Sequence, residues 1–190
     1  MMETERLILR PFSEEDLDLV LRLYGNREIM RYMPYDVMDK TEAEEHLQRL
    51  IAGWQEDPVL NREYAVIRKD SGKKIGRCHI QIDPETDTGM LGWLLVQKEW
   101  DQGYATEMTY ALMDYCFHEL GLHRVDALCN PDNDRSRRVL EKCGLRLEAH
   151  YREKCRYVRN GEAFWQDELE YALLKKEAEQ CLGRQQYNNE

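Results

Sequence analysis

The sequence is short of several things, and each shortage removes a class of protein. No stretch approaches the roughly 20 apolar residues that a membrane-spanning helix needs. The opening, METERLILRPF, carries charges where a signal peptide would carry its apolar run. A cytoplasmic protein with no membrane partner is expected. Basic residues are the minority, 27 Lys and Arg against 37 Asp and Glu, for a formal charge of −10. So acidic a chain is poorly suited to neutralising nucleic-acid phosphates, and no nucleic-acid partner is expected. It suits a cationic substrate such as an amine, although acidity also serves solubility. The six cysteines (Cys78, Cys116, Cys129, Cys143, Cys155 and Cys181) form no CxxC pair, and the five histidines form no HxH or HxxxH pair. Buried, reduced thiols are expected, and no metal site.

With 42% hydrophobic residues in 190, the chain can bury a core. It shows no repeat, no low-complexity linker and no domain boundary. It therefore reads as one domain over 1–174 and a polar tail over 175–190, in which Leu174, Ala178 and Cys181 or Leu182 would share a helical face. Residues 5–11 alternate into a short strand. Ser13, with Asp16 three residues on, opens a helix. A short helical piece lies around 27–32, and Thr41 with Glu44 caps a helix over 41–54. Residues 62–83 read as a hairpin turning at Asp70–Gly72, and 88–97 as a central strand. A helix over 104–120 closes at Gly121, a strand covers 123–129, and a helix begins at Asp132 or Asn133 and stops at Gly144. Residues 145–158 and 164–174 pair around Asn160–Gly161. The result is a mixed sheet with helices on both faces.

Two segments carry chemistry. In WDQGYATE (100–107), Gly103 stands between a strand and a helix. The first N–H groups of a helix have no internal partner, so an anion is favoured there; a simple tight turn is the other reading. In NPDNDRSRRVLEKCGL (130–145), helical spacing puts Asn133, Ser136, Leu140 and Cys143 on one inward face. Two polar side chains there need partners. They serve a site, or they cap the helix and bond back to its backbone.

Together these segments resemble the GNAT superfamily of acetyl-CoA-dependent N-acetyltransferases, most of all the branch with the ribosomal-protein N-terminal acetyltransferases. The resemblance rests on TERLILRPF, WDQGYATE, NPDNDRSRRVLEKCGLRLEAHYRE and a Gly161, Asp167, Tyr171 pattern, and it spans roughly residues 3–174. It implies an α+β fold, the acyl-CoA N-acyltransferase fold, and direct acetyl transfer from acetyl-CoA to a primary amine in a ternary complex. The acceptor would be a protein N-terminus or a small amine, and the resemblance leaves room for a homodimer. It further implies that backbone groups of Leu94, Leu95 and Val96 pair with the pantetheine arm. Amides of Gln102, Gly103, Tyr104 and Ala105, with the Thr106 hydroxyl, would hold the pyrophosphate. Asn133 would touch the cofactor arm, and Ser136 would serve the leaving sulfur as acid.

Two departures stand out. Asp101 brings a negative charge to a phosphate loop and is expected to point away. Leu140 stands where many members carry a tyrosine acid. The base is left among His79, Glu153, Asp167 and water, and RSRR (135–138) is either a phosphate contact or a solvated face. The absent tyrosine and unassigned base keep a non-catalytic acyl-CoA-binding or regulatory protein as the alternative.

Overall fold

The computed structural model describes residues 1–179. One eight-stranded sheet runs in the order β1-β2-β3-β4-β5-β6-β8-β7. The strands are β1 Met2–Glu3, β2 Leu7–Pro11, β3 Asn61–Arg68, β4 Lys74–Asp83, β5 Thr88–Leu95, β6 Arg124–Cys129, β7 Arg146–Arg159 and β8 Glu162–Leu174. The helices are α1 Leu17–Tyr24, α2 Lys40–Ala52, α3 Tyr104–Asp114 and α4 Asp134–Lys142. This is the expected mixed α+β sheet, with β1 added ahead of the first strand. Among the described residues no helix is long and apolar enough to cross a membrane.

Alternation along the strands builds two cores. Leu7, Leu9, Tyr64, Cys78 and Leu91 face α3 and α4, where Met108, Leu112, Leu140 and Cys143 are buried with them. Ala65 faces α1 and α2, over Leu19, Val20, Leu23, Leu47 and Leu50. At about 25 cal/mol per Å2 of apolar surface, burial on both faces supplies the main stabilising term.

Local chemistry sets the boundaries. Before α1 stands a tighter turn, Glu14–Asp16. Asp16 is wholly buried there; Arg10 donates to its two oxygens at 2.6 and 2.8 Å, and the Ser13 amide donates at 2.8 Å. The cap of α2 is Asp39 rather than Thr41. The Glu42 amide donates to Asp39 Oδ1 at 2.9 Å, and the Asp39 amide donates to Glu42 Oε2 at 2.8 Å. Both pairs have the spacing of a capping box, and the extended backbone falls at Asp39, two residues earlier than expected. α3 stops at Asp114 and passes into a wider π turn, Tyr115–Glu119, that lets both Cys116 and Phe117 point inward. The β7–β8 hairpin turns on Asn160 and Gly161, both at positive φ, as a two-residue turn requires. Residues 175–179 are helical and Ala178 packs on the core. The placement expected for Cys181 or Leu182 lies outside the described residues.

Neighbouring strands are antiparallel except β5 and β6, which run parallel and pair only at Thr88, Gly89 and Met90. Beyond Met90 the two part, and a wedge opens in the middle of the sheet.

Candidate active site

The wedge leads to a cavity of about 310 Å3 between the end of β5, the N-terminus of α3 and the N-terminus of α4. Leu94, Leu95, Gly103, Tyr104, Ala105, Thr106, Asn133 and Ser136 line it. Eight of the ten residues expected at the site thus meet at one place. Val96 and Gln102 are not in the lining. The Val96 amide donates to the Ile75 carbonyl at 2.8 Å and its carbonyl accepts from Glu99, so both its backbone groups are engaged. The Gln102 carbonyl accepts from Arg6 at 3.1 Å.

The Val96–Ile75 bond also fixes the phase of β5. Backbone groups alternate sides along a strand. Those of Leu94 and Val96 therefore face β4, and those of Leu91, Trp93 and Leu95 face the wedge. The backbone positions turned to the opening are Trp93 and Leu95, so Trp93 joins the site and Leu94 lines it through its side chain. Sequence periodicity gives the alternation but not its phase against β4; the hairpin register supplies that. One of the outward groups is already used: the Leu95 carbonyl accepts from the Trp100 indole at 2.8 Å.

Gly103 caps α3 with φ of 82°, in the left-handed region that glycine enters without strain. The first internal bond of α3 runs from the Glu107 amide to the Gly103 carbonyl at 3.0 Å. The amides of Tyr104, Ala105 and Thr106 thus have no partner within the helix and point at the cavity, with the helix dipole behind them. Arg6 stacks over the Tyr104 ring at 4.5 Å and pairs with Glu107 at 2.6 Å, holding this turn against β2.

Asp101 does not stand bare beside this cradle. Arg135 pairs with it at 3.2 Å and lies over the Trp100 ring at 4.9 Å. Arg135, Arg138 and Lys142 of α4 line the cavity, as does Arg31 from the opposite side; Glu28, Glu99 and Asp101 line it too, and Arg31 and Arg135 are paired with Glu28 and Asp101. Arg137 turns away to Asp134 at 3.3 Å.

On α4, Asn133 Oδ1 accepts the Ser136 amide at 3.2 Å and so caps the helix. Capping and lining coexist, since both side chains border the cavity. Leu140, one turn on, is fully buried in the core. The thiols nearby are inert: burial pushes Cys129 up to about 11 and Cys143 up to about 12.

The base candidates fare differently. Asp167 bonds His150 at 2.6 Å and the Glu153 amide at 2.9 Å, stitching an irregular stretch of β7 to β8. Beside this stretch, Lys154 pairs with Glu168 at 2.8 Å. Arg159 donates to the Met30 carbonyl at 3.0 Å and also to the Met33 carbonyl, pinning the end of β7 to the 30–33 segment. The His79 ring lies inside, over β5, where burial and then the Arg77 guanidinium push it well below the usual imidazole range.

Residues 6–146 match the family described as the acetyltransferase (GNAT) domain. The chain is 30% identical over 174 residues to YnaD, an uncharacterised N-acetyltransferase of Bacillus subtilis (strain 168), covering 92% of this chain and 96% of that one. Its fold matches spermidine N-acetyltransferase from Vibrio cholerae, solved with CoA and spermine, with a TM-score of 0.75 at 23% identity over 90% of this chain and 97% of that chain. It also matches RimL, a ribosomal L7/L12 alpha-N-protein acetyltransferase in complex with coenzyme A, with a TM-score of 0.77 at 20% identity over 90% and 95% of the two chains.

Proposed function

The chain belongs to the GNAT acetyltransferase family, and from that premise we propose that it moves the acetyl group of acetyl-CoA directly to a primary amine bound across the wedge. The observation that carries this reading is the meeting of three features at one cavity: outward backbone of β5, the free amides of α3 behind Gly103, and Ser136. The pyrophosphate lies on the amides of Gly103, Tyr104, Ala105 and the Thr106 hydroxyl, with Arg135 and Arg138 beside it. The pantetheine arm extends β5 as an added strand, pairing with Trp93 and Leu95 and passing Asn133.

The neutral amine attacks the thioester carbon. A new C–N bond forms, the carbonyl electrons move to oxygen, and an outward N–H of β5 stabilises that charge. The C–S bond then breaks; the thiolate leaves beside Ser136, whose hydroxyl donates to it. The proton lost by the amine passes to water. Neither buried thiol is ionised, so no acetyl-enzyme is formed.

Thermal unfolding with and without acetyl-CoA, in the native chain and in Gly103→Glu, tests the reading. A ligand at a hundred times its dissociation constant adds about 2.7 kcal/mol, which for a chain this size raises Tm by about 5–10 °C. The shift should vanish in Gly103→Glu, whose side chain strains a positive φ and puts a charge where the phosphates bind. No shift in the native chain would defeat the proposal. Binding without turnover of any amine would favour a non-catalytic acyl-CoA binder.

A further inference from the structure

The charges that line the cavity fall into two groups. Arg31 is paired with Glu28 at 3.8 Å, and Arg135 with Asp101 at 3.2 Å. Glu99, the remaining carboxylate of the lining, is paired with Arg68 at 3.3 Å. Arg138 and Lys142 line the cavity as well, and their side chains have no ion pair or hydrogen bond among the described residues. The acids that α4 could have offered them are turned elsewhere. Asp134 pairs with Arg137 at 3.3 Å, and Glu141 accepts the Tyr171 hydroxyl at 3.2 Å. Arg138 and Lys142 are both exposed, and they are four residues apart, so they stand side by side on one flank of α4. Two like charges in that relation repel unless an anion lies between them.

Their place along the helix says which anion. Asn133, Ser136, Val139 and Lys142 border the cavity at intervals of three, and at 1.5 Å per residue this row covers about 14 Å of α4. Ser136 stands toward one end. Lys142 stands at the other, next to Cys143, whose thiol donates to the Thr106 carbonyl in the first turn of α3 at 3.7 Å. The two cations therefore lie beside the amide cradle of α3, on the side away from Ser136. The cavity thus holds two anion-binding elements of different kind. One is a set of backbone amides with a helix dipole behind them; the other is a pair of full positive charges. Acetyl-CoA has two anionic groups to match. One is the pyrophosphate. The other is the phosphate ester on the 3′ oxygen of its ribose, which carries about −1.5 to −2 at pH 7 and presents three acceptor oxygens.

We propose that Arg138 and Lys142 hold the ribose 3′-phosphate of the cosubstrate and make the protein select coenzyme A over its 3′-dephospho form. The guanidinium takes two phosphate oxygens in a fork, and the ammonium serves the same group as a point charge. The inference rests on acetyl-CoA as cosubstrate and is independent of which amine accepts the acetyl group.

The test compares coenzyme A with 3′-dephospho-coenzyme A on the full chain. By isothermal calorimetry at low salt, the native protein should bind coenzyme A about five- to tenfold more tightly, the range expected of exposed charge-assisted contacts. The double variant Arg138→Gln/Lys142→Gln should bind both ligands alike, with the native Kd for the dephospho form retained. That retained Kd also shows that the variant is folded. Arg152→Gln/Arg156→Gln, which removes the same charge from exposed positions of β7, should keep the native preference. Phosphorus-31 NMR of the bound ligand gives a second readout. Nearby cations favour the doubly charged phosphate, so the bound 3′-phosphate should titrate at lower pH than in free coenzyme A, and the shift should disappear in the double variant. Equal weakening of both ligands in the double variant would place the two cations on the pyrophosphate and overturn the inference. Equal native affinities, or a 3′-phosphate that titrates as in the free ligand, would overturn it too. A native chain that binds neither ligand would defeat the acetyl-CoA reading itself, and this inference with it.

Discussion

The indole of Trp100 donates to the carbonyl of Leu95 across 2.8 Å, so the loop that leads into α3 is anchored to the strand it leaves. That bond fixes where the free amides of α3 stand relative to the wedge. Trp100→Phe removes the donor and keeps most of the apolar surface. It should cost about 1 kcal/mol of stability in urea unfolding. It should also raise Kd for acetyl-CoA several-fold by isothermal calorimetry, because Arg135 loses part of the ring it rests on.

Charge at the mouth can be tuned. Asp101 and Arg135 are both well exposed, so each acts through a screened field. Asp101→Asn should tighten acetyl-CoA binding by about two- to fivefold at low salt, and Arg135→Ala should weaken it by about as much. Both effects should shrink toward nothing at 0.5 M salt, checked by titration at the two ionic strengths.

Ser136→Ala should lower kcat by about a hundredfold, the lower end of the range for a positioned proton donor. The acetyl-CoA-dependent rise in Tm should stay, because the amides of α3 are untouched. Replacing Leu140 with tyrosine should not restore the lost activity. Leu140 is sealed in the core, and the larger ring should cost about 1–3 kcal/mol instead.

Acid should reach the fold through Asp16. Burial raises its pKa, but the hydrogen bond from Arg10, the Ser13 amide and Lys74 outweigh it and hold the carboxyl at about 2. In the unfolded chain an aspartate titrates near 3.9. A folded pKa below the unfolded one gives stability that is present above about pH 4 and is lost as pH falls toward 2. The amount is about 2–3 kcal/mol. Urea midpoints measured between pH 5 and 2 should show this loss, and Asp16→Asn should flatten most of it.

Much of this was legible in the residues because local rules state it. Gly103, Gly144 and Asn160–Gly161 mark turns whose positive φ few other residues accept, and they stand at the ends of the helices and hairpin they were expected to bound. Asn133 and Ser136 share a face because helical spacing leaves no alternative. What the sequence hides is set by long-range register. Only the bond from Val96 to Ile75 shows that Trp93, rather than Leu94, turns its backbone to the wedge. Asp39 and Thr41 are equal as caps until the loop before them chooses. His79 stands only as one of several candidate bases until Gly92, thirteen residues on, proves to be the hollow its ring fills.

The parting of β5 and β6 bears on strand pairing between molecules. A bare strand edge on the outside of a sheet invites another chain to add to it. Here the outward backbone of β5 lies inside the sheet, between β4 and β6, and is not an outer edge. On the reading proposed above, the pantetheine arm follows that row of backbone groups, so strand pairing inside the sheet is kept for a small molecule.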